Sequence, residues 1–134
     1  MSNNRDSLPE MLRAFLRAYY YLIIAHILLW RGFPAIHRFV AQFPTSPLSR
    51  TARSPSTRTL IQRLNFALIF IPKQTYCLVY AAAGTCLLRS FGIRALMVIG
   101  VYPSPFSAHS WIEVDGAPLP GPFASGRYLV IDRV

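Results

Sequence analysis

Two cysteines and three histidines are the groups in this 134-residue chain suited to nucleophilic chemistry. Cys77 follows Pro72-Lys73-Gln74-Thr75-Tyr76 and opens an apolar run to Phe91, a pattern that predicts a helix over residues 77–91 with the thiol in its first turn. Unpaired backbone N–H groups and the positive end of the helix dipole favour a thiolate there. The same N–H groups can receive the oxyanion of a tetrahedral intermediate, with Gln74 a candidate to complete that hole. Cys86 is nine residues further on, and at ~100° per residue it faces the opposite side of the helix. Its neighbours Ala81, Ala82, Ala83, Leu87 and Leu88 assign it to packing.

A thiolate needs a base that passes its proton to the leaving amine, and imidazole titrates in the right range. His26 falls on an apolar helical stripe and His37 on a short amphipathic segment, so both read as structural. His109 follows Pro103-Ser104-Pro105-Phe106-Ser107-Ala108 and is expected to open a strand at a loop junction, where a side chain can project into a cleft. Its orienting partner has two answers. If residues 115–126 are all loop, Val114 faces Arg127 and counting back sets His109 opposite Asp132. If Asp115-Gly116 is a tight two-residue turn, His109 faces Gly121 or Pro122, which carry no carboxylate. Asp132 is the preferred third member.

No pair of Cys and His residues has zinc-site spacing, no carboxylate cluster exists, and no glycine-rich phosphate loop occurs, so neither metal nor other cofactor is expected. The formal charge is +9, and 13 of the 14 basic residues are arginine, which implies an acidic partner. The arginines are scattered from Arg5 to Arg133 with no nucleic-acid module, so an acidic peptide or protein fits better than DNA or RNA. Residues 1–10 are polar and mixed in charge, unlike a secretory signal, and with two cysteines this predicts a cytoplasmic protein. The longest apolar stretch, residues 18–30, is short of the roughly 20 residues a bilayer requires, so no span is expected.

The elements that must position Cys77 and His109 follow from periodicity. Residues 8–43 read as two helices, with Ser7 as N-cap and Arg31-Gly32-Phe33-Pro34 as the break. Leu12, Phe15, Leu16, Tyr19, Leu22, Ile23, His26 and Leu29 or Trp30 form one 3–4 stripe that requires cover. Tyr19, Tyr20, Tyr21, Leu28, Leu29 and Trp30 exceed what a small sheet can cover, so a partner protein or a membrane surface is expected to contact these helices. Residues 44–58 are rich in Ser, Thr, Pro and Arg and read as a linker. A helix capped by Ser56 or Thr57 is predicted over residues 59–71, and Gly92 closes the Cys77 helix. Strands are predicted at residues 94–101, 110–114 and 127–134, with Gly100 ending the first. Helices followed by an antiparallel sheet make a single α+β domain in three parts: a helical segment (8–43), a linker (44–58) and a catalytic core (59–134).

Cys77-Leu78-Val79, Leu87-Leu88-Arg89-Ser90-Phe91-Gly92-Ile93, Val98-Ile99-Gly100-Val101 and the run from Pro105 through Ala108-His109-Ser110-Trp111-Ile112-Glu113-Val114-Asp115-Gly116 resemble the transglutaminase-like leader peptidases of lasso-peptide biosynthesis. The resemblance spans roughly residues 75–132 and implies a papain/transglutaminase-like fold, with Cys77 attacking the leader–core amide and His109 as base. In the stand-alone short form, which this chain resembles in length, it further implies a separate small protein that holds the precursor's leader peptide and an ATP-dependent cyclase that closes the ring. Such proteins usually carry the triad Asp a few residues after the Asp-Gly turn; here Leu119-Pro120-Gly121-Pro122 stands there, so either Asp132 on the next strand substitutes, or the enzyme works as a Cys–His dyad, or it is impaired. The alternatives are acyl transfer to an amine through the same thioester, and a non-catalytic Arg-rich adaptor.

Overall fold

Every residue from Val79 to Arg89 is buried, which makes the helix Cys77–Ser90 the axis around which the rest of the chain packs. In this computed structural model residues 8–47, 54–71, 77–103, 106–120 and 128–134 are described. They form α1 (Leu8–Trp30), α2 (Phe33–Gln42), α3 (Thr57–Leu68), α4 (Cys77–Ser90), β1 (Ala95–Pro103), β2 (Phe106–Val114), β3 (Ala117–Pro118) and β4 (Leu129–Arg133). The strands make one antiparallel sheet in the order β3-β2-β1-β4, and the helices form a layer with α4 against it, an α+β arrangement.

The small residues Ala81, Ala82, Ala83 and Gly84 let α4 approach its neighbours closely. A Cβ at Gly84 would stand 2.3 Å from Ile112 Cδ1 of β2 and 3.0 Å from Leu64 Cδ2 of α3, so only hydrogen fits between helix, helix and sheet. The end of α4 is a Schellman closure. Gly92 N–H donates to Arg89 O at 3.0 Å, Ile93 N–H to Leu88 O at 3.0 Å, and Gly92 holds the left-handed φ of 84° that this requires. Arg89, buried at the same end, donates from Nη1 to the carbonyls of Val40 (2.6 Å) and Phe43 (3.0 Å) and from Nε to Ala95 O (2.9 Å). Its guanidinium thereby satisfies the last carbonyls of α2 and ties α2, α4 and β1 together.

Ser56 is the N-cap of α3, its hydroxyl accepting from Thr59 N–H at 3.1 Å. That helix starts at Thr57, inside the stretch expected to be linker. Gly100 does not end β1, which runs on to Pro103; it lies under Trp111 and Tyr128, where a Cβ would come within 2.7 Å of each. Ser7, Gln74, Gly121, Pro122 and Arg127 lie outside the described residues.

The buried line of α1 differs from the expected stripe. Ala14, Ala18, Leu22 and Ala25 face the core, while Leu12, Leu16, Tyr20, Ile23, Ile27 and Trp30 are exposed. Small side chains win the inward position because α1 packs on α3 and on α4, whose own facing residues are mostly alanine. As one unbroken helix, Pro9–Trp30 is by length and composition apolar enough to cross a bilayer, a property the 13-residue count of residues 18–30 missed.

Candidate active site

Alternation along the strands sorts the site residues onto two faces of the sheet. Ile112, Ala95, Met97 and Ile99 belong to the core beneath the helices. Ser110, two residues from Ile112 and paired with Ile99, shares their face. His109 pairs with Gly100 and Trp111 with Val98, so both point to the other side, away from α4. There the His109 ring lies 5.8 Å from that of Trp111 and 5.2 Å from that of Tyr128. Trp111 Nε1 donates to Glu113 Oε2 at 2.9 Å, and Arg133 Nε reaches Glu113 Oε1 at 3.4 Å, completing a row of polar and aromatic groups.

Only 7% of His109 is exposed, and this burial lowers its pKa from 6.5, because the imidazolium would lose hydration without a charged partner. The ring is therefore a neutral proton acceptor at pH 7. It lies mid-strand, because β2 starts at Phe106, so the expected position at a loop-to-strand junction is corrected. The apolar alternation of residues 106–109 is weak, and pairing with Gly100–Pro103 of β1 extends the strand where side-chain pattern alone does not.

Cys77 is the first described residue of α4 and is partly exposed. Cys86 is buried, and desolvation pushes its thiol up to about 12, so it stays protonated and inert. Cys77 and His109 share no hydrogen bond among the described residues: the thiol starts the helix packed on one face of the sheet, and the imidazole lies on the other.

Asp132 does not face His109. Strand β1 separates β2 from β4, Asp132 pairs with Ile99 on the helical face, and His109 shares its row with Gly100 and Val130 on the opposite face. The register that set His109 against Asp132 required residues 115–126 to be loop. Instead Asp115 (φ 53°) and Gly116 (φ 77°) form a tight turn, and Val114 pairs with Ala117. Asp132 Oδ2 accepts from His37 Nε2 at 2.6 Å. Sequence reasoning missed this pair, since 95 residues separate its members and only the β4–β1 pairing brings them together. His26, read as structural, is half-buried on α1 beside a groove also lined by Tyr19 and Ile71. No group of three or more His, Cys, Asp or Glu residues placed to hold a metal occurs among the described residues.

Next to α4, Thr57, Arg58, Ile61, Gln62 and Asn65 of α3 with Leu119 and Pro120 line a groove of about 750 Å³. Asn65 Oδ1 accepts from Tyr80 Oη at 2.7 Å, one turn along α4 from Cys77.

No curated protein and no solved structure matched the chain. The transglutaminase-like superfamily matches residues 21–132, from the middle of α1 to β4, and therefore takes in Cys77, His109 and Asp132. The partly exposed thiol at a helix start and the His-bearing strand beside it are thus framed by a match over most of the length, and the chain belongs to the transglutaminase-like superfamily.

Proposed function

We propose that this protein is a cytoplasmic cysteine peptidase that removes the leader peptide from a ribosomally synthesised lasso-peptide precursor. The observation that carries the reading is the partly exposed Cys77 at the start of α4, in a transglutaminase-like chain whose other cysteine is buried and inert. Cys77 Sγ attacks the carbonyl carbon of the leader–core amide. Its proton passes through an imidazole to the leaving amine, a thioester forms, and water hydrolyses it. A separate leader-binding protein presents the precursor, and an ATP-dependent cyclase consumes the product.

His109 is the base in this reading. The resemblance assigns it this role, and in the structure its ring lies on the face of the sheet away from α4. A second reading is favoured by the 2.6 Å bond between His37 and Asp132, which is already on the helical face: there a carboxylate holds an imidazole as a catalytic acid holds its base.

The test is precursor cleavage, in the presence of the leader-binding partner, by Cys77→Ala, Cys86→Ala, His109→Ala and His37→Ala proteins. Cys77→Ala is expected to abolish cleavage and Cys86→Ala to leave it intact. Loss of about 10²-fold or more on His109→Ala, with His37→Ala near wild type, supports His109 as base, and the reverse assigns that role to His37. Full-rate cleavage by Cys77→Ala ends the peptidase reading. Product mass separates hydrolysis from acyl transfer to an amine.

A further inference from the structure

The outward face of α1 is bulky and apolar where a helix bathed in water carries charge. Its inward line is built of small residues, Ala14, Ala18 and Ala25 with Leu22, while Leu12, Leu16, Tyr20, Ile23, Ile27 and Trp30 point outward, Trp30 with 82% of its surface exposed. The patch continues onto the end of α3, where Phe66, Ile69 and Phe70 are exposed and Phe15 packs against Phe66 and Phe70 at 5.5 and 5.7 Å. An exposed apolar surface of this continuity marks a place of contact.

Its ends are basic. Arg13 and Arg17 line a groove of about 420 Å³ with Leu12, Leu16 and Tyr20, and Arg31 lines one of about 450 Å³ with Ile27 and Trp30. Glu10 is the sole acid in α1, in a chain of net charge +9. We propose that this face seats the protein on an anionic lipid bilayer, with the axis of α1 lying in the plane of the membrane. The helix is long and apolar enough to span, yet its four inward residues are locked in the core with α3 and α4, so it cannot enter the bilayer lengthwise without unpacking the domain. Lying flat, it sinks its apolar stripe below the headgroups, sets Tyr20 and Trp30 at the interface, and brings Arg13 and Arg31 to lipid phosphates. The charge complementarity selects anionic lipid, each cation near the surface adding to the attraction. The inference stands apart from the catalytic reading, since Cys77 and His109 take no part in it.

The test is co-sedimentation of the full chain with vesicles of phosphatidylcholine alone and of phosphatidylcholine with phosphatidylglycerol. Binding to the anionic vesicles roughly tenfold tighter than to the neutral ones is expected, weakening as salt rises. Ile27→Glu and Leu16→Glu are each expected to lower it by about tenfold or more while leaving the thermal transition unchanged. Absence of binding to anionic vesicles at low salt overturns the proposal. So does undiminished binding of both variants, which would reduce the contact to charge alone. A wild-type dimer that Ile27→Glu converts to a vesicle-indifferent monomer overturns it in favour of a second copy of the chain on this face.

Discussion

At the scale of single residues, the burial of His109 makes stability depend on pH. Its folded pKa is depressed below 6.5 by desolvation, so in the mildly acidic range the unfolded chain binds the extra proton. The contribution is fully present above 6.5, falls as pH drops toward the lower folded value, and is constant below it. The thermal midpoint of wild type is therefore expected to drop between pH 7.5 and pH 5, and a His109→Gln variant to drop less, as followed by circular dichroism. Equal slopes for the two proteins would show that the ring is hydrated. That Cys86 is buried in packing while Cys77, at the start of the helix, is partly exposed was legible from helix phase and from the apolar neighbours of Cys86. The partners of His109 and Asp132 were not, because a residue's face is set by strand register, and register here was set by the two-residue turn at Asp115-Gly116.

At the scale of elements, helix limits were legible where a side chain or glycine enforces them, as at Ser56 and Gly92, whereas the end of β1 and the start of β2 were not. Pairing between β1 and β2 runs from Ala95 opposite Val114 to Pro103 opposite Phe106, a ladder whose last rungs contain serine, glycine and proline with no apolar alternation to announce them. The junction of α2, α4 and β1 depends on one side chain. Arg89→Leu takes the guanidinium from the carbonyls of Phe43 and Ala95, leaves that of Val40 with the Phe43 N–H alone, and is expected to cost about 2–4 kcal/mol, measurable by urea denaturation. Arg89→Lys, with a single ammonium in place of the planar fork, should recover only part of the loss. Wild-type stability in the leucine variant would mean that water serves those carbonyls equally well.

At the scale of the whole molecule, the helical segment and the region after residue 54 share one core, since Ala14, Ala18, Leu22, Ile36 and Val40 are buried together with Leu60, Leu64, Val79 and Leu87. A chain starting at Ser54 would present α4 to water along the face that α1 and α2 cover, and is expected to lose its cooperative thermal transition. A sharp transition at an unchanged midpoint would make the helical segment dispensable. The α+β class was legible because helical periodicity gives way to strand-rich sequence after Gly92. The outward tilt of the bulky residues of α1 was not, because a chain that is apolar nearly all round gives no phase, and the choice of face was made by the alanines of a helix many residues away.

Gly100 lies beneath the indole of Trp111 and the β-carbon of Tyr128, with room there for a hydrogen atom and nothing larger. The missing side chain acts as a seat for the two aromatic groups that flank His109. A single methyl at that point would work as a wedge, prising the rings outward and letting water reach the imidazole. The proton affinity of the histidine, and with it the acid limit of any chemistry it serves, is thereby governed by an atom that this sequence leaves out.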